Sequence, residues 1–376
     1  RGKFQLSAWR ATVAFLFIAP PALAQIVEVP TAAWKGGDPA PFRSSSPADE
    51  GLDPDTLAHA IDLAERFNSD AFIVLHNGRV VVEEYWHGET RADVQQMYSA
   101  TKSPFSFLVG RAIQKGYVTS LDQSVCEFVP EARGMGRESL TFRSIMAMAS
   151  GLDQSRELDR ADAVAQRTQL EAVLARAVVH APYRWYHYNN AAYRLLFTAL
   201  ERASGRSLSE LTREELFAPL GMEGAYWVEL VRTGEHAGYQ SIRMRPIDLA
   251  KIGQIAIDHG RWNGAQYLPG EFLTSLLTAP APDANPCYGL FWHLNAGDFF
   301  RSYYESDRVD GPLIPGAPAD TMANYGHGGQ ILVAIPSESI VWVRTGPDTP
   351  TTIWEPDSIV TQITNLICAA AAAEAH

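Results

Sequence analysis

The chain has 376 residues, of which 46% are hydrophobic and 20% are charged, and this composition suits a globular protein with a large core. The formal net charge of −12 argues against nucleic acid as a partner, because phosphate binding needs a basic face. The three cysteines, Cys126, Cys287 and Cys368, show neither a CxxC pair nor zinc-like spacing with histidine. We therefore expect buried thiols and no metal site. A single disulfide between two of the three cysteines is the alternative that the sequence leaves undecided.

Residues 1–24 have the features of a secretory signal peptide. A positively charged start precedes the apolar stretch 11–19, which is too short to span a bilayer, and a small-x-small site ends at Ala24. The alternative is an uncleaved membrane anchor, which the short apolar core and the pair Pro20-Pro21 disfavour. We expect export to the periplasm or beyond, with no membrane span after cleavage. Residues 25–50 are rich in Pro, Gly, Ser and Ala and predict an extended lead-in.

The sequence over 52–116 predicts the first part of an α/β lobe. Helical spacing over 52–67 begins at Asp53-Pro54, and β-branched and aromatic residues over 71–75 and 79–86 flank a hairpin turn at 76–78. A further helix is expected over 97–116.

From about 121 to 235 the pattern changes to helices and loops, with helical runs over 140–149, 170–179, 191–203 and 208–217. Afterwards come a helix over 245–259, strands over 330–335 and 339–344, and a last helix from Ser358. The fold class is therefore predicted as α/β of the α+β type, with an antiparallel sheet flanked by helices. Residues 51–120 and 236–376 would form this α/β lobe and 121–235 an all-helical lobe, with the active site in the cleft between them.

The first chemical motif is Ser99-x-x-Lys102 at the start of the helix predicted over 97–116. A serine and a lysine three residues apart share one helical face, and a partly buried lysine with a lowered pKa can take the serine's proton. The chain holds only five lysines, and only Lys102 has a serine three residues before it. The structural alternative is a serine at a helix start with a solvated lysine.

The second motif is Tyr188-Asn189-Asn190, directly before an amphipathic helix. A tyrosine hydroxyl beside a lysine ammonium can exchange protons with a serine, and the amide of Asn190 can orient a carbonyl. The alternative is a packed tyrosine with Asn190 as the N-cap of the helix.

The third motif, residues 325–330, reads Tyr-Gly-His-Gly-Gly-Gln immediately before a strand. Glycines at a strand entry let the backbone come close to a ligand, and an edge strand beside Ser99 could offer an N–H group to an oxyanion. The alternative is an ordinary glycine turn that carries a surface histidine, His327.

Taken together, the three motifs resemble those of the β-lactamase-related serine hydrolases, which include class C β-lactamases, DD-peptidases, family VIII esterases and 6-aminohexanoate-oligomer hydrolases. The resemblance implies a β-lactamase/DD-peptidase-like fold over nearly all of residues 50–368 and no cofactor. It also implies roles for seven positions: Ser99 as nucleophile, Lys102 and Tyr188 as its proton-transfer network, Asn190, His327 and Gly329 as substrate-binding residues, and the backbone N–H groups of Ser99 and Gln330 as the oxyanion hole.

Two departures from the family pattern matter. His327 stands where the family often has lysine, and a neutral histidine suits uncharged esters or amides better than the carboxylate of a β-lactam. Pro104 lies inside the predicted helix, so that helix either begins irregularly or bends after Lys102.

The expected function is hydrolysis of a small carboxylic ester or amide, including 6-aminohexanoate oligomers, through an acyl-enzyme on Ser99. A β-lactamase or D-amino-acid peptidase is the first alternative, and a non-catalytic binding protein on the same scaffold is the second. The sequence leaves the oligomeric state open.

Overall fold

The computed structural model describes residues 25–302, 307–348 and 354–373, so the expected signal peptide lies outside the described residues. The strands are β1 (Ile26–Pro30), β2 (Arg43–Ser44), β3 (Ala71–His76), β4 (Arg79–Tyr85), β5 (Gln95–Gln96), β6 (Tyr226–Arg232), β7 (Glu235–Met244), β8 (Arg261–Trp262), β9 (Ala265–Gln266), β10 (His293–Leu294), β11 (Phe299–Arg301), β12 (Arg308–Asp310), β13 (Met322–Gly326), β14 (Gln330–Ile335) and β15 (Ile340–Thr345). The α-helices are α1 (Pro54–Arg66), α2 (Lys102–Gln114), α3 (Phe142–Met146), α4 (Arg156–Val164), α5 (Gln169–Leu174), α6 (Asn190–Ser204), α7 (Leu208–Thr212), α8 (Pro246–Ile257), α9 (Gly270–Leu276) and α10 (Ile359–Ala372). Within these ranges no helix is both long and apolar enough to cross a membrane.

The main sheet has seven strands in the order β10-β13-β14-β15-β3-β4-β2. All neighbouring pairs are antiparallel except β2 with β4, which are parallel. The hairpin predicted at 76–78 is present, and its turn residues Asn77 and Gly78 have φ values of 51° and 72°. Two consecutive residues with positive φ match the twist of the flanking strands, which explains the Asn-Gly pair.

Both faces of this sheet are covered, which accounts for the strongly apolar strands. Alternate residues point to opposite faces, so Trp342 packs in one hydrophobic cluster and Val343 in the other. Helices α1 and α10 cover the Trp342 face, while α2, α8 and the helical segment cover the Val343 face. The predicted α/β class with an antiparallel sheet is therefore confirmed.

Side-chain caps fix the starts of the first and last helices. Asp53 accepts a hydrogen bond of 2.9 Å from Thr56 N, and Ser358 accepts one of 3.2 Å from Thr361 N. Both were predicted from the sequence as helix starts.

The helix predicted over 97–116 begins irregularly. A 3₁₀ turn over Tyr98–Thr101 precedes α2, which starts at Lys102. Pro104 is the third residue of α2, in the first turn, where a backbone N–H has no intrahelical partner. The proline therefore removes no helical hydrogen bond.

The segment 121–235 contains α3 to α7, but it also contains a strand that the helical pattern did not predict. Strand β6 pairs with β7 across a turn in which Thr233 and Gly234 have φ values of 52° and 84°. Strand β1, in the lead-in, pairs with the other edge of β6. The three cysteines are free thiols, and Cys126 and Cys287 are buried, as expected.

Candidate active site

Ser99 lies in the 3₁₀ turn that leads into α2, and β7 holds this turn in place. Met97 N donates a 3.0 Å hydrogen bond to Ile242 O, and Thr101 Oγ1 accepts one of 3.0 Å from Ile242 N. Tyr98, directly before Ser99, has a φ of 44°, which is a strained value for a bulky residue. The turn therefore presents Ser99 on a backbone whose shape the neighbouring strand maintains.

Lys102 is buried, with 3% of its surface exposed. Its Nζ lies 3.3 Å from Ser99 Oγ and 3.0 Å from Asn190 Oδ1. The structure thus brings together three residues of the first two motifs, although 88 residues separate Lys102 from Asn190. A solvated lysine, the structural alternative for this motif, is wrong because the ammonium is enclosed.

Tyr188 and Asn190 are positioned by the start of α6. The N-cap is Asn189, whose Oδ1 accepts a 2.9 Å hydrogen bond from Ala192 N. Asn190 is therefore the first residue of the helix, and its side chain points to Lys102 instead of capping. The alternative that made Asn190 the N-cap is wrong by one residue.

Two aromatic rings enclose the Lys102 ammonium. Its Nζ lies 4.8 Å from the centroid of Tyr188 and 4.3 Å from that of Tyr193. Ring faces attract a cation, so both tyrosines favour the charged form of the lysine. Tyr193 escaped the sequence analysis, although its position three residues after Asn190 places both on one face of α6.

The surroundings of Lys102 otherwise disfavour its charge. Burial lowers the pKa of the Lys102 ammonium well below its ordinary value, and the positive charge of Arg194 lowers it further. Burial also lowers the pKa of His293 to about 3, so this nearby imidazole is neutral. A lysine amine that loses its proton readily can accept the proton of Ser99.

The glycine of the third motif that faces the Ser99 turn is Gly326, at the end of β13. A Cβ atom at this position would lie 2.1 Å from Met97 O and 2.9 Å from Ala100 N, closer than real Cβ contacts. Only glycine lets β13 approach the turn this closely. Residues two apart share a face of a strand, so the buried Asn324 points to the same side as Gly326.

Gly329 lies on another side of the hairpin. A Cβ atom there would overlap the buried guanidinium of Arg344 and lie 2.7 Å from Pro347 O. Gln330 begins β14 opposite Gly326, and its Nε2 donates to the carbonyl oxygen of Gly346 at 3.1 Å. The predicted substrate-binding glycine thus packs against the arginine.

His327 stands at the rim of the site. Its side chain is 78% exposed, its ring lies edge-on to Tyr98 at 5.6 Å between centroids, and its Nδ1 is 3.5 Å from Asp348 Oδ2. Asp348 also accepts hydrogen bonds from Gly328 N at 2.8 Å and from the Tyr325 hydroxyl at 2.9 Å. The carboxylate of Asp348 is therefore held beside the imidazole of His327.

Comparison with known proteins identifies the family. The Beta-lactamase family matches residues 55–345. The chain belongs to this family. A 6-aminohexanoate-dimer hydrolase from Paenarthrobacter ureafaciens is 24% identical over 347 residues, which are 87% of this chain and 85% of that protein. A D-aminopeptidase from Cereibacter sphaeroides is 28% identical over 225 residues, 56% of this chain and 42% of that protein.

Solved structures of Beta-lactamase family members share the fold. A family VIII carboxylesterase superposes with a TM-score of 0.60 at 13% identity, over 85% of this chain and 99% of that one. A class C β-lactamase in complex with cefoxitin gives a TM-score of 0.59 at 17% identity, over 84% and 98% of the two chains. The Beta-lactamase family has esterase, amidase and peptidase members and consists generally of serine hydrolases. Within the described ranges no cluster of His, Cys, Asp or Glu could hold a metal ion.

Proposed function

We propose that the protein is a serine hydrolase that cleaves a carboxylic ester or amide through an acyl-enzyme on Ser99. The observation that carries this proposal is the buried Lys102 amine within hydrogen-bond reach of Ser99. In the first step Ser99 Oγ attacks the substrate carbonyl while its proton passes to the network of Lys102 and Tyr188. The two groups exchange this proton as a coupled pair, so neither alone is the base. The proton then goes to the leaving group, and water hydrolyses the acyl-enzyme.

The oxyanion hole in this proposal uses the backbone N–H of Ser99 and one N–H group from the third motif. The sequence suggested Gln330 for the second donor. The close contact of Gly326 with the Ser99 turn supports a donor from this motif. Asn190, which contacts Lys102, would orient the substrate's carbonyl or amide.

The side chains at the rim of the site, His327 and Asp348, favour substrates that carry no carboxylate beside the reacting group. His327 replaces a fixed cation, and the carboxylate of Asp348 behind it would repel a second carboxylate. We therefore rank esters and amides, including 6-aminohexanoate oligomers, above β-lactams and D-amino-acid peptides. The 6-aminohexanoate-dimer hydrolase among the relatives supports the same ranking.

The test is labelling of the purified protein with a fluorophosphonate, followed by turnover of a short-chain p-nitrophenyl ester, a 6-aminohexanoate dimer and a chromogenic cephalosporin. Ser99→Ala should abolish labelling, whereas Ser103→Ala is the matched control. Ser103 is buried at the start of α2, four residues after Ser99, and its hydroxyl donates to Ala100 O at 3.1 Å, so its loss should leave labelling intact. Labelling of Ser99→Ala equal to that of the wild type would refute the nucleophile. Fast cephalosporin turnover would reverse the ranking, and no turnover or labelling at all would favour a binding protein.

We also propose that the protein is exported and processed after Ala24. N-terminal sequencing of the protein from fractionated cells should find Gln25 as the first residue in the periplasm or medium. An intact leader in the cytoplasmic fraction would contradict this proposal.

A further inference from the structure

Arg344 is a fully buried arginine on β15, the central strand of the main sheet. Its guanidinium lies at the end of the sheet that carries the active site, because Gly329 of the third motif contacts it. A buried charge costs free energy unless it is well paired or hydrogen-bonded. The proposed reaction gives this cation no role, so its contacts were followed outward from the side chain.

One nitrogen of the guanidinium joins two segments that meet at the active site. Arg344 Nη1 donates a hydrogen bond of 2.9 Å to Gly329 O, in the turn between β13 and β14, and one of 2.8 Å to Pro347 O. Pro347 belongs to residues 346–348, which follow β15 and form the rim loop. The arginine therefore ties the rim loop to the β13–β14 turn.

The other two nitrogens anchor the guanidinium to the end of α1. Nη2 donates to Phe67 O and Nε donates to Ser69 Oγ, both at 2.8 Å. Phe67 caps the C-terminus of α1, where carbonyl oxygens lack helical partners and carry partial negative charge. Burial lowers the pKa of Arg344 to about 10, although Asp70 and Asp348 favour the cation. The guanidinium is therefore charged at neutral pH and held on every side.

Glycines on both segments make room for this side chain. A Cβ atom at Gly329 would overlap Arg344 Nη1, and one at Gly346 would lie 2.8 Å from Nη2. Real Cβ atoms essentially never come within 3.0 Å of another heavy atom. The arginine is thus seated between the turn and the rim loop at two positions where only glycine fits.

The rim loop carries the carboxylate that faces the active-site histidine. Asp348 follows Pro347 directly, and its Oδ2 lies 3.5 Å from His327 Nδ1. The hydrogen bond from Arg344 to Pro347 O restrains the backbone just before this carboxylate. Asp348 is therefore positioned through its own backbone as well as through the hydrogen bonds that its side chain accepts.

We propose that Arg344 is a positioning residue for substrate selection. It holds the rim loop against the β13–β14 turn and so keeps the Asp348 carboxylate beside His327, where this carboxylate opposes anionic substrates. Because its side chain is fully buried, Arg344 acts through these two segments and not by contact with substrate. The inference rests on the proposed function, since it concerns the substrates of that same site.

The test is a double-mutant cycle between Arg344→Lys and Asp348→Asn. The substrates are 4-acetoxybenzoate and its neutral methyl ester, which differ by one carboxylate and transfer the same acetyl group. In the wild-type background, Asp348→Asn should raise kcat/KM for the anion relative to the methyl ester about fivefold, the scale of one solvent-screened charge contact. Arg344→Lys keeps the charge, but its three donors cannot bond all four acceptors, so there Asp348→Asn should change this ratio less than about twofold.

Ser69→Ala is the matched control. It removes the acceptor of Arg344 Nε and leaves the bonds to Gly329 and Pro347 in place. A purely structural disturbance of the buried arginine is therefore present in this variant without a change at the rim. Ser69→Ala should lower the melting temperature and still show the full effect of Asp348→Asn on the ratio.

Thermal melting shows whether Arg344→Lys is folded. If it is not, Gly346→Ala takes its place, because the new Cβ would push the rim loop away from Arg344 and should abolish the Asp348→Asn effect as well. The proposal is overturned if Asp348→Asn has the same effect in the wild type and in the folded variant, or no effect in the wild type. A wild type without fluorophosphonate labelling and without ester turnover would instead contradict the proposed function itself, and the positioning role with it.

Discussion

Replacing Gly326 by alanine should damage catalysis much more than it damages folding. The new Cβ would lie 2.1 Å from Met97 O, whereas real Cβ atoms essentially never come within 3.0 Å of another heavy atom. The distance to Met97 O is thus about 1 Å shorter than this limit. The two closest obstructing atoms belong to the backbone, which cannot rotate away as a flexible side chain does. Either β13 or the turn that carries Ser99 must therefore move by about this distance.

A displacement of 1 Å at the nucleophile has a known scale of effect. Misplacement by about 1 Å can cost about 100-fold in rate, because attack on the carbonyl needs near-ideal geometry. We expect kcat/KM of Gly326→Ala for a p-nitrophenyl ester to fall about 100-fold or more. Stopped-flow measurement of the acylation burst should locate the loss in the first step, since that step needs both Ser99 and the oxyanion hole.

Gly329→Ala is the matched comparison, three residues further along the hairpin. Its Cβ would meet Arg344 rather than the Ser99 turn, and its φ of 74° is unfavourable for alanine. We expect the free energy of unfolding to fall by about 1–3 kcal/mol, with kcat/KM within a few-fold of the wild type in the folded protein. The reasoning is refuted if Gly326→Ala keeps its activity, or if Gly329→Ala is the variant that loses acylation.

Three other predictions concern buried charges. Lys251→Met should lower the free energy of unfolding by about 3–5 kcal/mol in urea titrations, because it leaves Asp248, 2.9 Å from the buried Nζ, with one cation fewer. The kcat/KM of the wild type should rise with pH as Lys102 loses its proton. Because burial lowers the pKa of this lysine, the rise should be complete well below the ordinary lysine value of about 10.4. Tyr193→Leu removes a ring that favours the ammonium, so it should shift this rise to lower pH.

Two of these predictions have a control variant. Lys115→Met removes a lysine that is 45% exposed and 3.6 Å from Glu215, and it should cost less than about 1 kcal/mol. Tyr193→Phe retains the ring face and should leave the pH profile in place. A profile of Tyr193→Leu that moves to higher pH would contradict the cation–π assignment. A pH rise centred at the ordinary lysine value would mean that Lys102 is not desolvated in solution.

Local patterns were sufficient to predict most elements of the fold. The hairpin at Asn77-Gly78 and the helix start at Asp53 depend on neighbouring residues alone, and the structure contains both. Strands β6 and β7 form a hairpin across Thr233-Gly234, and the sequence analysis missed both strands although their pairing is local. Only the pairing of β6 with β1, about 200 residues earlier in the chain, leaves no local signal.

Within the candidate site, the first two motifs could be predicted and the third could not. Ser99 lies in the turn before α2, Lys102 begins α2 and Asn190 begins α6, so periodicity located the helix starts that carry these residues. The third motif has three glycines in four residues. The pairing of β13 with β14 determines which of these glycines faces the Ser99 turn. In that register Gly326 lies opposite Gln330, and His327 moves to the rim. No pattern within the motif itself distinguishes this arrangement from one that uses Gly329.

The contrast between buried and exposed side chains explains why the reaction was easier to infer than the substrate. The two groups of the proposed proton-transfer network, Lys102 and Tyr188, are buried, as is Tyr193 beside them, so packing that the apolar pattern of α2 and α6 already encodes fixes their positions. In the proposed site substrate choice would depend on exposed groups at the rim, such as His327, whose Nδ1 lies 3.5 Å from Asp348 Oδ2. A carboxylate at this rim opposes anionic substrates, which gives the ester and amide ranking a physical basis that the histidine alone did not supply. Asp348→Asn should therefore lower KM for an anionic substrate more than it lowers KM for a neutral ester. The rise of kcat/KM with pH, which Lys102 controls, should not change.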